Sequence, residues 1–164
     1  VMKRPENKEK LARDAVKEKR DFFDRYLSNE GRNFVKRAHV SASTGIGLIH
    51  SAGGMAVWSH PVIPDFKNGE YDELEKFLQE LIAWGLDGLE VWSASHREDD
   101  VEFLYALGEK YGLLKTGGSD FHGQANPAIR LGKGFGALDV PDRLVEDMER
   151  ARGRNGPIVS LNKF

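Results

Sequence analysis

The feature that most limits the fold of this chain is an alternation between residues 55 and 118. Met55-Ala56-Val57-Trp58-Ser59 is a short apolar run suited to a buried strand, and it leads straight into His60-Pro61. Glu70 to Trp84 then places Leu74, Phe77, Leu78, Leu81 and Ile82 on one helical face, with Gly85 positioned as a stop. Gly88-Leu89-Glu90-Val91-Trp92 is a second strand run. Ser95-His96-Arg97-Glu98 has the spacing of a capping box, which predicts a helix opening there and running through Val101, Leu104 and Leu107 to Tyr111, with Gly112 after it. Leu113-Leu114-Lys115-Thr116 is a third short strand. Strands that alternate with helices of this length form parallel β-α-β units, so the predicted class is α/β.

The flanks are less regular. Lys3 to Leu27 reads as one charge-rich helix whose apolar residues are Leu11, Ala15, Phe22, Phe23 and Tyr26, and Asn29 to Arg32 reads as a turn. A second helix is expected between Ser43 and Ala52, ended by Gly53 and Gly54. Beyond Gly123 the chain carries glycines at 132, 134 and 136, then a last helix from Asp142 to Ala151. An edge strand at Ile158-Val159-Ser160 or a loose tail follows. With 164 residues the chain suffices for one domain or part of one, whereas a closed α/β barrel takes roughly 250. The opening at Val1, inside a charged segment, is unusual for a natural N-terminus.

Composition removes several chemistries. The chain has no cysteine, which excludes disulfides, thiolate catalysis and cysteine-bound zinc, so any metal must be held by histidine and carboxylate. No apolar run approaches the roughly 20 residues of a membrane helix and no signal-peptide pattern is present, so a cytoplasmic location without membrane contact is expected. Residues 1–27 hold nine Lys/Arg against six Asp/Glu, interleaved, which is not the clustered basic stripe of a nucleic-acid footprint.

In parallel α/β folds, ligands bind where loops leave the carboxyl ends of the strands. All three predicted strands end in candidate chemistry: His60 after the first, Ser93 to His96 after the second, Asp120 and His122 after the third. Asp120 and His122 are two apart, so in an extended segment both side chains point the same way and could grip one ion or two adjacent ones. Alternatively, Ser119-Asp120 serves only to cap or turn the chain. His60 reads either as a metal ligand or as a buried imidazole bonded to backbone. Glu90, a charge within an apolar strand, either supports a ligand histidine or pairs with a buried base. His96, at the expected helix start, is either a phosphate or metal neighbour or an exposed cap residue. His39 and His50 belong to no constellation.

GGMAVWSHP, GLDGLEVWSASH and YGLLKTGGSDFHG, in this order and spacing, resemble the second half of a PHP-family protein. The similar branch contains stand-alone metal-dependent phosphoesterases, among them nucleoside 3′,5′-bisphosphate phosphatases and 5′-to-3′ exoribonucleases. The resemblance runs from about Phe22 to Val140. It implies part of a distorted parallel (β/α)7 barrel, with a trinuclear cluster of divalent ions (manganese, zinc, iron or magnesium) at the carboxyl ends of the strands. It divides the chain into a helical insertion segment over 1–40, barrel residues over 41–152 and a tail over 153–164. By the same resemblance His60, Asp120 and His122 are metal ligands and His96 is a substrate or phosphate contact, while the nucleophile is a metal-bound water and no protein group. The implied substrates are nucleotide or short RNA phosphate esters.

Two departures bear on these expectations. The His-x-His, Asp, Thr-Asp-His and Glu segments that supply most ligands in the family are not in this chain. Where the branch often follows His-Pro with Gly-Arg-Tyr, this sequence has Val62-Ile63-Pro64-Asp65. The chain alone is therefore expected to bind metal weakly, to be inactive, and to self-associate through the open part-barrel. Two other readings are a degenerate, non-catalytic binding module and an amidohydrolase-like metal hydrolase acting on C–N bonds.

Overall fold

The computed structural model describes residues 1–36, 39–62 and 71–154, which fall into two compact units, Val1–His39 and Val40–Phe164. The expected edge strand at 158–160 lies outside the described residues.

The first unit corrects the single helix expected over 3–27. After a 3-10 turn at Pro5–Asn7, α1 spans Lys8–Arg13 and α2 spans Lys19–Tyr26. Between them Ala15 turns left-handed (φ 53°), and the Ala15 and Val16 amides return to the Ala12 and Leu11 carbonyls at 3.1 and 2.8 Å. This is a Schellman closure built on alanine instead of glycine. The break is set by Asp14, whose buried carboxylate accepts from the Tyr26 hydroxyl of α2 and from Arg32 Nη1 at 3.2 Å. A continuous helix would carry Asp14 away from both donors. The Tyr26 hydroxyl, opposed by burial and assisted by Arg32, holds the Asp14 carboxyl below the usual carboxylate range. Asp21 starts α2 by accepting from the Lys17 and Glu18 amides at 2.8 and 3.1 Å.

The second unit is an α/β arrangement, as the alternation predicts. Helix α3 (Ala42–Ser51) is capped by the Ser41 hydroxyl on the Thr44 amide at 3.1 Å. Strands β1 (Val57–Trp58), β2 (Gly88–Ser93) and β3 (Leu114–Gly118) pair in parallel in that order, with α4 (Tyr71–Ala83) between the first two and α5 (Glu98–Tyr111) between the last two. Helix α6 (Arg143–Arg154) follows β3. Leu74, Leu78 and Leu81 of α4, Leu104 and Leu107 of α5, and Leu89 and Val91 of β2 form the core together with Ile46 and Val62. Each such side chain contributes roughly 1.5–3 kcal/mol by leaving water. Phe77, placed on the same face from its spacing, stays 42% exposed and packs edge-on against Trp58.

Two local expectations are adjusted. The first strand is shorter than its apolar run: the Ala56 carbonyl accepts the Asp87 and Gly88 amides at 2.9 and 3.1 Å where the strand begins, and past its end the chain bends at His60 (φ 29°). Helix α5 starts at Glu98, with Arg97 and not Ser95 as its cap: Asp100 reaches back to accept the Arg97 amide at 2.8 Å. Among the described residues the three strands form an open sheet.

Candidate metal and phosphate site

His60, Ser93 and Asp120 leave neighbouring parallel strands at their carboxyl ends, and one carboxylate connects two of these exits. Glu90 Oε2 accepts the His60 amide at 2.5 Å. A Cβ at Gly118 would lie 3.3 Å from Glu90 Oε1, so glycine there leaves room for that carboxylate beside β3. Glu90 thus lies between the end of β1 and the end of β3 and holds the backbone of His60 in place. Of the two alternatives open for Glu90, support of the histidine segment is the one observed, made through backbone and not through the imidazole.

The Asp120–His122 pair is not the extended segment that the two-residue spacing suggests. Asp120 is left-handed (φ 51°), and His122 Nδ1 lies 2.7 Å from the Asp120 carbonyl and 3.6 Å from its carboxylate Oδ1. The pair therefore meets through a tight turn. Just before it, the buried Ser119 hydroxyl accepts the Gly132 amide at 3.1 Å and anchors the turn to the following loop. A carbonyl oxygen can only accept, so His122 Nδ1 carries the hydrogen, and the neutral ring presents its lone pair at Nε2. Both side chains are exposed, at 46% for Asp120 and 62% for His122.

His96 has the same polarity in a buried setting. Its Nδ1 donates to the Val91 carbonyl at 2.8 Å, and its Nε2 is buried with no hydrogen-bond partner among the described residues. Val91 coincides with a register irregularity between Glu90 and Trp92 in the β2–β3 ladder. The turn carrying His96 and Arg97 is held by Asp100, which is fully buried and also accepts the Tyr71 hydroxyl at 2.8 Å. Burial opposes ionisation of Asp100, but the Arg97 amide and the Tyr71 hydroxyl outweigh it and keep the group below the usual carboxylate range. Next to His96 a cleft of about 520 Å³ opens between the end of β2, the start of α5 and residues 135–139.

An imidazole that donates one ring nitrogen to a carbonyl and offers the other is the form in which histidine binds a metal ion. His122 and His96 both take it, so the donors fit divalent ions that accept nitrogen and carboxylate ligands. They do not complete a set: among the described residues no three His, Asp or Glu side chains converge on one point. His50, expected to stand alone, pairs with Asp87 at 2.7 Å, and Asp87 also accepts the Ala56 amide at 2.7 Å, so its role is to tie α3 to the entry of the sheet. His39 is exposed. Sequence reasoning missed the Asp100–Tyr71 bond and the wall at 135–139. The run Glu98-Asp99-Asp100 marks an acceptor at a helix start, but nothing local marked Tyr71 as its partner or residues 135–139 as a wall.

No protein-family model matches the chain. A 3′,5′-nucleoside bisphosphate phosphatase of Chromobacterium violaceum is 36% identical over 112 residues, covering 66% of this chain and 37% of the relative. A 5′-3′ exoribonuclease of Haemophilus influenzae is 33% identical over 132 residues, covering 78% of this chain and 44% of the relative. Among solved structures, a candidate metal-dependent phosphoesterase of Bifidobacterium adolescentis superposes with a TM-score of 0.61 at 30% identity, over 88% of this chain and 48% of that one. The chain belongs to the PHP phosphoesterase family. A further solved relative of this PHP-family chain, an amidohydrolase of Chromobacterium violaceum with bound sulfate and no metal, has a TM-score of 0.59 at 29% identity. The PHP-family chain spans less than half the length of the curated relatives it matches.

Proposed function

We propose that this chain is part of a metal-dependent phosphoesterase that hydrolyses phosphate esters of nucleotides or short RNA. The observation that carries the reading is the 36% identity to a nucleoside bisphosphate phosphatase over a stretch of 112 residues. The likeness to a candidate metal-dependent phosphoesterase at a TM-score of 0.61 supports it. In this reading the open sheet is a portion of a distorted barrel, residues 1–40 belong to a helical insertion, and the remaining metal ligands come from elsewhere in the complete site.

His60, Asp120 and His122 are the residues assigned to hold divalent ions, in a cluster that reaches three ions when complete. When bound, such ions activate water at neutral pH and neutralise phosphate oxygens. Glu90 fixes the His60 backbone, and the left-handed turn at Asp120 sets the direction of His122. His96 is assigned to substrate. Self-association through the strand edges belongs to the same reading, since a sheet of this kind exposes unpaired backbone.

Two measurements test the proposal. Titration of the chain with Mn²⁺ or Zn²⁺, followed by calorimetry, is expected to show weak binding that His60→Ala and His122→Ala each reduce. Phosphate release from a nucleoside 3′,5′-bisphosphate and from 5′-phosphorylated RNA is expected only when the chain is extended by the segment bearing the other ligands. Release that persists after chelation, or hydrolysis of C–N bonds without phosphate release, would overturn the assignment. Turnover by the 164-residue chain alone would overturn the claim that its site is partial.

A further inference from the structure

The cleft beside His96 carries more than a phosphate contact requires, and its charge has the wrong sign for one. Trp92 and Val101 line one part of it, and Phe135 and Leu138 the other. Phe135 is 65% exposed, which leaves most of its ring open to a ligand. Three carboxylates, Glu98, Glu102 and Asp139, share the lining, the first two one helical turn apart on α5. The cation there, Arg97, already lies 3.6 Å from the Asp100 carboxylate. A phosphate entering this cleft meets more negative than positive charge. A flat, uncharged ring with N–H donors on its rim meets stacking surface and hydrogen-bond acceptors.

We propose that this cleft seats the base of the substrate, and that it favours bases carrying an exocyclic amino group: adenine, cytosine or guanine. The inference rests on the phosphoesterase reading for its link to catalysis, and it assigns His96 to the nucleoside end of the substrate. The phosphate is left to the divalent-ion site assigned to His60, Asp120 and His122 at the neighbouring strand ends. Aromatic stacking accounts for the larger part of the hold, and the carboxylates account for the choice among bases.

The test uses nucleosides, which carry no phosphate. The 164-residue chain is titrated with adenosine and with uridine, and binding is followed by NMR at the Trp92 indole and the residues around Phe135. Adenosine is expected to shift these signals saturably and uridine to bind several-fold more weakly. Phe135→Ala, at an exposed position that does not enter the core, is expected to weaken adenosine binding by about tenfold or more. Glu102→Gln, also exposed, is expected to narrow the preference for adenosine over uridine. Inorganic phosphate is expected not to displace adenosine. Absence of any shift in the cleft up to the solubility limit of adenosine, equal binding of the two nucleosides, or displacement by phosphate would each overturn the seat. Adenosine binding without phosphate release in the extended protein would count against the phosphoesterase reading and leave the seat standing. Phosphate release without adenosine binding would do the reverse.

Discussion

Asp100 is the residue whose removal is expected to do the most damage for the least change in volume. It is fully buried, its carboxylate accepts the Arg97 amide and the Tyr71 hydroxyl, each at 2.8 Å, and it thereby joins the start of α4 to the turn that carries His96. Loss of a helix-start acceptor costs about 1 kcal/mol. Loss of a bond from a hydroxyl to a charged acceptor costs roughly 1.5–3 kcal/mol. Asp100→Ala is therefore expected to destabilise the chain by about 2–4 kcal/mol in urea unfolding, with an unchanged slope. Asp100→Asn keeps one acceptor and is expected to lose about half of that. Tyr71→Phe removes one of the two bonds, and a double-mutant cycle with Asp100→Ala is expected to give a coupling of about 1–2 kcal/mol.

The pH dependence has a definite sign. The folded carboxyl titrates below its unfolded value, so its contribution is present in full above the unfolded value of about 3.9 and is lost as pH falls through the lower folded value. Acidification below about pH 4 should therefore lower the urea midpoint of the parent chain more steeply than that of Asp100→Asn. An Asp100→Ala variant within about 0.5 kcal/mol of the parent would refute the reasoning, since it would mean that neither bond contributes net stability.

Other expectations follow from single contacts. A Cβ on Gly117 would lie 2.8 Å from Trp92 Cβ and 2.9 Å from both the Trp92 carbonyl and Val140, so Gly117→Ala should cost roughly 1–3 kcal/mol in the same unfolding assay. Gly112→Ala meets no neighbour but holds a left-handed residue (φ 62°), and it should cost only about 1 kcal/mol. Leu104→Ala empties a fully buried position of the core and should cost about 2–5 kcal/mol. Asp14→Asn weakens the acceptor that breaks the first helix, so residues 1–36 should become more susceptible to limited proteolysis. Equal protease resistance in parent and variant would show that Asp14 does not organise that unit.

What was legible in the sequence and what was not divides along a physical line. The alternation of Val57, Leu89 and Leu114 runs with the leucine face of α4 and α5 is a local pattern, and the parallel three-stranded sheet follows it closely. Gly85 (φ 98°) and Gly112 end their helices where a side chain would resist the left-handed turn, as expected from position alone. The two misread helix boundaries each involve a polar side chain answering to a partner far along the chain. Asp14 breaks a helix of good local propensity because Tyr26 and Arg32 reach it from 12 and 18 residues away. Asp100 moves the start of α5 past Ser95 because Tyr71, 29 residues earlier, shares it. Propensity and spacing register neither of these bonds, and each outweighs the few tenths of a kcal/mol by which local preferences differ.

The same division applies to the candidate site. Placing His60, Asp120 and His122 at the ends of strands needed only the order of the elements. Their relation to one another depends on Glu90, which bonds the His60 amide, and on a left-handed Asp120, and neither can be read from a two-residue spacing. The Asp-x-His pair consequently meets across a turn, with His122 Nδ1 committed to the Asp120 carbonyl and only Nε2 left for a ligand. A pair aligned along an extended strand could share an ion with both of its side chains in any ring tautomer. The turn fixes the tautomer in advance and directs one nitrogen outward, so it suits a site in which His122 contributes one ligand to a set drawn from several loops and does not hold an ion with Asp120 alone.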